Sequence, residues 1–172
     1  MSHLMISRRR MAQASCLIVL GFCLLSRADG PTALAEQVNL ALHKPASASS
    51  IENEEHNAAQ ANDGDTETSW CADDEPENGP EWWQVDLEKS VDVLGCEICW
   101  PYDGKQYRYK VEGSVDRKAF FLLSDQTHTR SAAQVQNLKF ENVKKARFVK
   151  ITITGFEEGC WASLSEVKIF GR

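Results

Sequence analysis

The chain has 172 residues, enough for one ordinary domain with a packed core. It carries 19 basic and 25 acidic side chains, a formal charge of −6, which argues against phosphate backbones and anionic membranes as partners. Acidity of this kind can also signal disorder, but five tryptophans and regular apolar runs point to a folded core.

The first residues read as an export signal. Arg8, Arg9 and Arg10 form a basic start, an apolar run follows from about Ala14 to Leu25, and Ala33-Leu34-Ala35 offers a small-residue cleavage pattern. Residues 1–35 are therefore expected to be a secretory signal peptide, and the apolar run is too short to span a bilayer comfortably. An uncleaved signal anchor is one alternative, and Ser7-Arg8-Arg9 allows a twin-arginine route as another. Cleavage leaves 15 basic and 24 acidic side chains, a formal charge of −9. The mature domain, 36–172, is placed outside the cell or in the periplasm and envelope, with no membrane insertion once the signal is removed.

The mature chain opens with Asn39–Ser50, which reads as a short edge strand broken by Pro45. Ala59–Trp70 then packs Asn62, Asp63 and Asp65 around Gly64 and adds Thr66, Glu67 and Thr68. A turn of this kind can offer carboxylates, hydroxyls and carbonyls together, as a hard cation such as calcium requires. The spacing is not that of an EF-hand loop, and an ordinary Asp-Gly turn is the plainer reading. Residues 71–81 form a polar loop in which Asp73, Asp74 and Glu75 are read as solvated acids.

From there the pattern is strand-like. Trp83, Val85 and Leu87 alternate with Gln84 and Asp86, and Val91–Trp100 reads as a buried strand with Cys96, Ile98 and Trp100 on one face. Tyr107–Val115 alternates and leads through a turn at Asp116-Arg117-Lys118 into Phe120–Leu123. Ala133–Phe140, Phe148–Thr154 and Glu166–Phe170 complete about eight strands, with no amphipathic helix longer than two turns. That pattern is an antiparallel β-sandwich filling one domain, expected to be a monomer. Trp70, Trp82 and Trp100 are expected in the core.

Cys71, Cys96, Cys99 and Cys160 remain after signal cleavage, in a compartment where disulfides form. Cys96 and Cys99 are three apart on a strand, so their Cα atoms lie roughly 10 Å apart, beyond the reach of about 7 Å. They read as thiols within the sandwich, and Cys71–Cys160 is the preferred pair.

Four runs in order carry a resemblance: AQANDGDTETSWCA, PEWWQVDLEKSVDVLGCEICW, YRYKVEGSVDRKAFFLL and ARFVKITITGFEEGCWASLSEVKIFG. Over roughly residues 38–172 the chain resembles the discoidin, or coagulation-factor type C, domains, in particular the bacterial branch grouped with family-32 carbohydrate-binding modules. The resemblance implies a galactose-binding-domain-like jelly roll with ligand loops at one end. It also implies a structural calcium ion, held by the side chains of Asp63, Asp65, Thr68 and Glu166 and by carbonyls of Gln60, Thr68 and Ser165. It supports the Cys71–Cys160 pairing, since WCA and GCWAS recur together in the family.

The family's galactose signature departs here. Galactose binders place a histidine where this chain has Cys71, and an arginine and an asparagine in the loop that here reads Pro101–Gln106. A first-loop glutamate finds a match in Glu54. Sugar sites set an aromatic face against pyranose C–H groups and use polar groups for the hydroxyls. The loop candidates are Glu54, His56, Tyr102, Asp103, Lys105, Phe156, Glu157 and Trp161; Trp161 can equally be read as packing beneath the metal loop.

Two functions follow: a non-catalytic module that recognises glycan or polysaccharide, or a scaffold of the same fold that binds a cell-surface protein. An enzyme is not expected, because GxSxG, HExxH and a glycine-rich phosphate loop are all missing from the sequence.

Overall fold

The computed structural model describes residues 38–73 and 80–172. The expected signal peptide, 1–35, and the acids Asp74 and Glu75 lie outside the described residues. Eight strands follow in chain order: β1 (Ala46–Ala48), β2 (Trp70–Cys71), β3 (Trp82–Cys99), β4 (Tyr107–Ser114), β5 (Phe121–Asp125), β6 (Val135–Phe156), β7 (Ser163–Leu164) and β8 (Glu166–Gly171). The main ladder runs β1-β3-β6-β4-β5 with β8 on β3, and β2 pairs β7 separately. All these pairings are antiparallel. The architecture is the all-β, antiparallel sandwich expected of the alternating pattern, consistent with a jelly roll.

Two long strands organise it. From β3, Trp83, Val85, Leu87, Val91 and Val93 are buried, and then Cys96 and Ile98 are. The inward phase passes from odd to even numbers because the register shifts between Val93 and Gly95. One extra residue moves every later side chain to the other face, so the bulge keeps the apolar set facing the core. A Cβ on Gly95 would lie 2.4 Å from the Leu138 carbonyl oxygen, so the bulge requires glycine. A second irregularity falls between Asp86 and Val91, where Glu88 takes a φ of 64°.

These breaks divide the β3–β6 ladder. Trp82–Asp86 pairs with 148–152 beside β1 and β4, whereas Gly95–Cys99 pairs with 135–139 beside β8. The two halves supply the two layers. Val85, Tyr109 and Ile151 from one layer join Ile98, Val167 and Ile169 from the other in a single apolar cluster. Each such large apolar side chain contributes about 1.5–3 kcal/mol by leaving water.

Three expectations are corrected. The segments read as separate strands over 83–87 and 91–100 are largely one strand, as are those over 133–140 and 148–154. The expected edge strand over 39–50 shrinks to the three residues of β1, because residues 40–43 form a turn. Trp82 is half-buried, and its neighbour Trp83 is the fully buried one. Successive strand residues face opposite sides, so only one of the two can enter the core. Trp70 and Trp100 are fully buried as expected. Among the described residues no helix is long and apolar enough to cross a membrane.

Candidate functional site

The loop between β1 and β2 carries most of the site. It holds two short 3-10 turns, Glu54–His56 and Ala58–Ala61, capped by the side chains of Asn53 and Asn57. Two core tryptophans fix its path. The Trp70 indole N–H donates to the Ser50 carbonyl at 2.9 Å, and the Trp83 indole N–H to the Ala58 carbonyl at 2.8 Å. Buried indoles need a partner, so the core itself grips the loop.

At the far end of this loop, Gly64 turns with a φ of 90°, a conformation suited to glycine. Its N–H donates to Glu166 Oε2 at 3.2 Å, joining the loop to the start of β8. Glu166 is buried, and its Oε1 meets no donor. Burial pushes its carboxyl up to about 7; the Gly64 N–H opposes the shift and Asp63 adds to it. Beside it, the Thr68 hydroxyl faces Asp63 Oδ2 at 2.9 Å, the Asp65 carbonyl at 3.0 Å and the Gln60 carbonyl at 3.3 Å. One hydroxyl proton satisfies only one of these three acceptors.

The cradle is thus rich in oxygen and short of positive charge. Among the described residues no group of three or more His, Cys, Asp or Glu gathers as a metal cluster. The donor set is mixed instead, two carboxylates with hydroxyl and carbonyl oxygens, which is the chemistry a hard cation takes. Of the expected ligands, Gln60, Asp63, Thr68 and Glu166 converge on the cradle. Asp65 turns its carbonyl inward, while its exposed carboxylate accepts the Glu67 N–H at 2.9 Å. Ser165 is buried next to Glu166 and held by the Cys99 carbonyl at 2.9 Å.

A cavity of about 230 Å³ opens at the same end, between His56, Tyr102 and Trp161. The Tyr102 and Trp161 rings lie 6.4 Å apart and tilted by 31°. Trp100 stacks on Tyr107 at 4.0 Å in the core, which anchors Pro101 and Tyr102 directly after it. His56 Nδ1 lies 3.0 Å from the Ser69 carbonyl. A carbonyl only accepts, so this contact puts the neutral ring's proton on Nδ1 and leaves Nε2 as an acceptor. Glu52 completes the rim: its N–H donates to the Cys71 carbonyl at 2.9 Å, and its carboxylate lies 3.9 Å from His56 Nε2. Burial raises the Tyr102 hydroxyl, with Cys71, Cys160 and Glu52 adding to the shift.

Of the eight loop candidates, three line this cavity: His56, Tyr102 and Trp161. Glu54, Asp103, Lys105, Phe156 and Glu157 do not; Lys105 Nζ instead donates to the Glu158 carbonyl at 3.1 Å. The first-loop carboxylate in place is Glu52. Asn53 could have signalled this, since a cap there starts a turn that carries Glu54 and Glu55 outward. Trp161 is 43% exposed, which excludes the reading of it as core packing. A second cavity, of about 400 Å³, shares Trp161 as a wall and has Phe156 and Glu81 among the others.

The expected Cys71–Cys160 disulfide is not formed in the structure, and no disulfide occurs among the described residues. The segments that carry the two are nonetheless close: β2 pairs β7, and the Ala72 N–H donates to the Ala162 carbonyl at 2.9 Å. Cys96 and Cys99 are buried thiols, both raised by burial and therefore poorly reactive.

A β-sandwich with polar loops and an aromatic-walled cavity at one end is the build of a binding domain. Residues 45–167 match the F5/8 type C domain, and the chain belongs to that family. The matched domain type is a binding module rather than a catalytic domain. A chitosan-binding module from a chitosanase/glucanase of Paenibacillus sp. IK-5 is 27% identical, with a TM-score of 0.66 over 78% of this chain and 99% of its own. CpGH89CBM32-5 from Clostridium perfringens, solved with GalNAc-β-1,3-galactose, is 25% identical, with a TM-score of 0.67 over 78% of this chain and all of its own. A fucose-binding module of Streptococcus pneumoniae, 22% identical, shares the fold with a TM-score of 0.61 over 79% of this chain and 96% of its own. No curated protein matches the chain.

Proposed function

We propose that the protein is an exported, non-catalytic carbohydrate-binding module braced by a calcium ion. The observation that carries this is the Tyr102–Trp161 pair, two tilted rings 6.4 Å apart on the wall of a cavity at the loop end. Aromatic faces take the C–H patches of a sugar ring, and His56 Nε2 and Glu52 supply acceptors for its hydroxyls. Similarity to modules described as binding chitosan or solved with a disaccharide supports the assignment.

Calcium would be held by Asp63, Thr68 and Glu166 with oxygens of Gln60, Asp65 and Ser165. The buried, donorless Glu166 Oε1 supports a cation there. When bound, the ion neutralises the carboxylates and ties the β1–β2 loop to β8. Residues 1–35 would direct export, placing a monomer in the secreted or envelope fraction. Sites of this size bind single sugars weakly, so retention on polysaccharide would rest on several contacts at once.

A protein-binding scaffold of the same fold is the second reading, favoured by Cys71 and by a Pro101–Gln106 loop that lacks the galactose-binding arginine and asparagine. A glycan array probed with the purified, multivalently displayed protein, with and without calcium, separates the two. A competable signal for one sugar class is expected. Silence across a broad array from folded protein would favour the scaffold.

A further inference from the structure

We infer that the cation cradle and the ligand cavity are coupled: a divalent cation held among Gln60, Asp63 and Thr68 sets the cavity wall made by His56 and Ser69, so that cation and ligand strengthen each other's binding. The inference rests on the cation and carbohydrate sites proposed above and adds the link between them.

The two sites are nested in one loop. His56 and Ser69 line the cavity, and Gln60 and Thr68, inside them in the chain, belong to the cradle. His56 Nδ1 lies 3.0 Å from the Ser69 carbonyl and 3.3 Å from the Ser69 hydroxyl. Further in, the Thr68 hydroxyl lies 3.3 Å from the Gln60 carbonyl. These contacts are successive rungs across the neck of the loop, and Thr68 and Ser69 share a peptide bond. Reorientation of Thr68 in the cradle is therefore passed directly to the Ser69 side of the cavity.

The core grips this loop at Ala58, through the Trp83 indole, and again at the buried Trp70. Between those anchors, Asn62 and Gly64 tie the far side to the Ala41 and Lys44 carbonyls and to Glu166. On the near side the chain meets the cradle through the Thr68 hydroxyl. That hydroxyl faces three acceptors with a single proton: Asp63 Oδ2 at 2.9 Å, the Asp65 carbonyl at 3.0 Å and the Gln60 carbonyl. Without a cation, two of those oxygens face the hydroxyl unsatisfied. With one, the Thr68 oxygen and its neighbours all serve as ligands, and their mutual repulsion becomes shared attraction. The two states differ at Thr68, and Ser69 carries the difference to His56. By linkage, the factor by which the cation raises ligand affinity is the factor by which the ligand raises cation affinity.

Calcium titration of the purified protein, followed at the histidine rings by NMR, tests the link without a sugar. The His56 ring resonances are expected to shift in step with calcium binding measured by calorimetry, while those of His128, between β5 and β6, stay in place. His56→Ala removes a cavity wall but no proposed ligand of the ion. It should weaken calcium binding about fivefold, with a melting temperature in chelator close to that of the wild type. On the glycan array, the signal in calcium should fall about fivefold or more in chelator. Calcium binding that leaves the His56 ring unmoved and is unchanged in His56→Ala would overturn the inference and keep the cation site. A glycan signal equally strong in calcium and chelator would overturn it and keep the sugar-binding reading. Folded protein that binds no calcium would remove the cation site and the inference together, and an array silent under both conditions would remove the sugar-binding reading and the inference with it.

Discussion

Glu166 and Gly64 meet across 102 residues of chain, the Gly64 N–H donating to Glu166 Oε2 at 3.2 Å while Oε1 lies buried without a donor. That contact is where the start of β8 closes on the acidic turn. A half-satisfied buried carboxylate is costly, and a cation is the group that removes the cost. Calcium is therefore expected to raise the melting temperature. At 100 times its dissociation constant it adds about 2.7 kcal/mol, an upward shift of about 10 °C for a domain of this size. Glu166→Gln should abolish the response yet leave the chelated protein no less stable, since a neutral amide replaces a buried charge. Scanning calorimetry with calcium and with chelator checks both; a melting temperature indifferent to either would falsify the cation site.

The same carboxyl sets a pH dependence. In cation-free protein burial holds Glu166 up to about 7, so the folded state keeps a proton that the unfolded chain releases near 4.5. Between those values the folded state binds more protons, and stability falls as pH rises through the window, then levels off. Asp86 acts in the opposite sense and lower down. Hydrogen bonds from Arg147 hold its carboxyl below the usual range, so its contribution is present above that range and lost only on stronger acidification. Melting temperature measured against pH in chelator should decline from mildly acidic to neutral pH in the wild type. The decline should flatten in Glu166→Gln and shrink with excess calcium.

Much of the sandwich is legible in the sequence because apolar residues alternate, and alternation reports which face is buried. It cannot report continuity. The bulge before Gly95 resets the phase in mid-strand, so one strand reads as two, and two-residue strands such as β2 and β7 are too short to show any period. The acidic turn is legible in its own residues, but its distant partner Glu166 emerges only from the resemblance, because no local pattern links residues 102 apart. The cavity is least legible. Glu52 and Glu54 differ by two positions, and only the backbone turn capped by Asn53 decides which carboxylate reaches it.

Two tryptophans of similar chemistry should separate binding from stability. Trp161 is 43% exposed and walls both cavities, whereas Trp100 is fully buried and stacks on Tyr107 at 4.0 Å. Trp161→Ala is expected to cost under about 1 kcal/mol in stability and to remove most glycan affinity. Trp100→Ala should cost about 3–5 kcal/mol. Denaturant unfolding set beside polysaccharide pull-down reads both; a strongly destabilised Trp161→Ala would mean that this ring is structural.

The bulge offers a sharper test of the fold. A Cβ on Gly95 would lie 2.4 Å from the Leu138 carbonyl oxygen, a backbone atom that cannot swing aside as a side chain would. Gly95→Ala must therefore spread the β3–β6 ladder where the inward phase changes, and it is expected to cost about 1–3 kcal/mol. Gly104 provides the contrast. It has open space around it but a φ of 72°, so Gly104→Ala meets only backbone strain, about 1 kcal/mol. Because Gly95 lies in the β3–β8 pairing that positions Glu166, loss at Gly95 should also weaken calcium stabilisation, while loss at Gly104 should not. Urea unfolding of both variants, with and without calcium, measures the difference. Equal costs, or an unchanged calcium increment in Gly95→Ala, would show that the bulge is not what sets the geometry of the cation cradle.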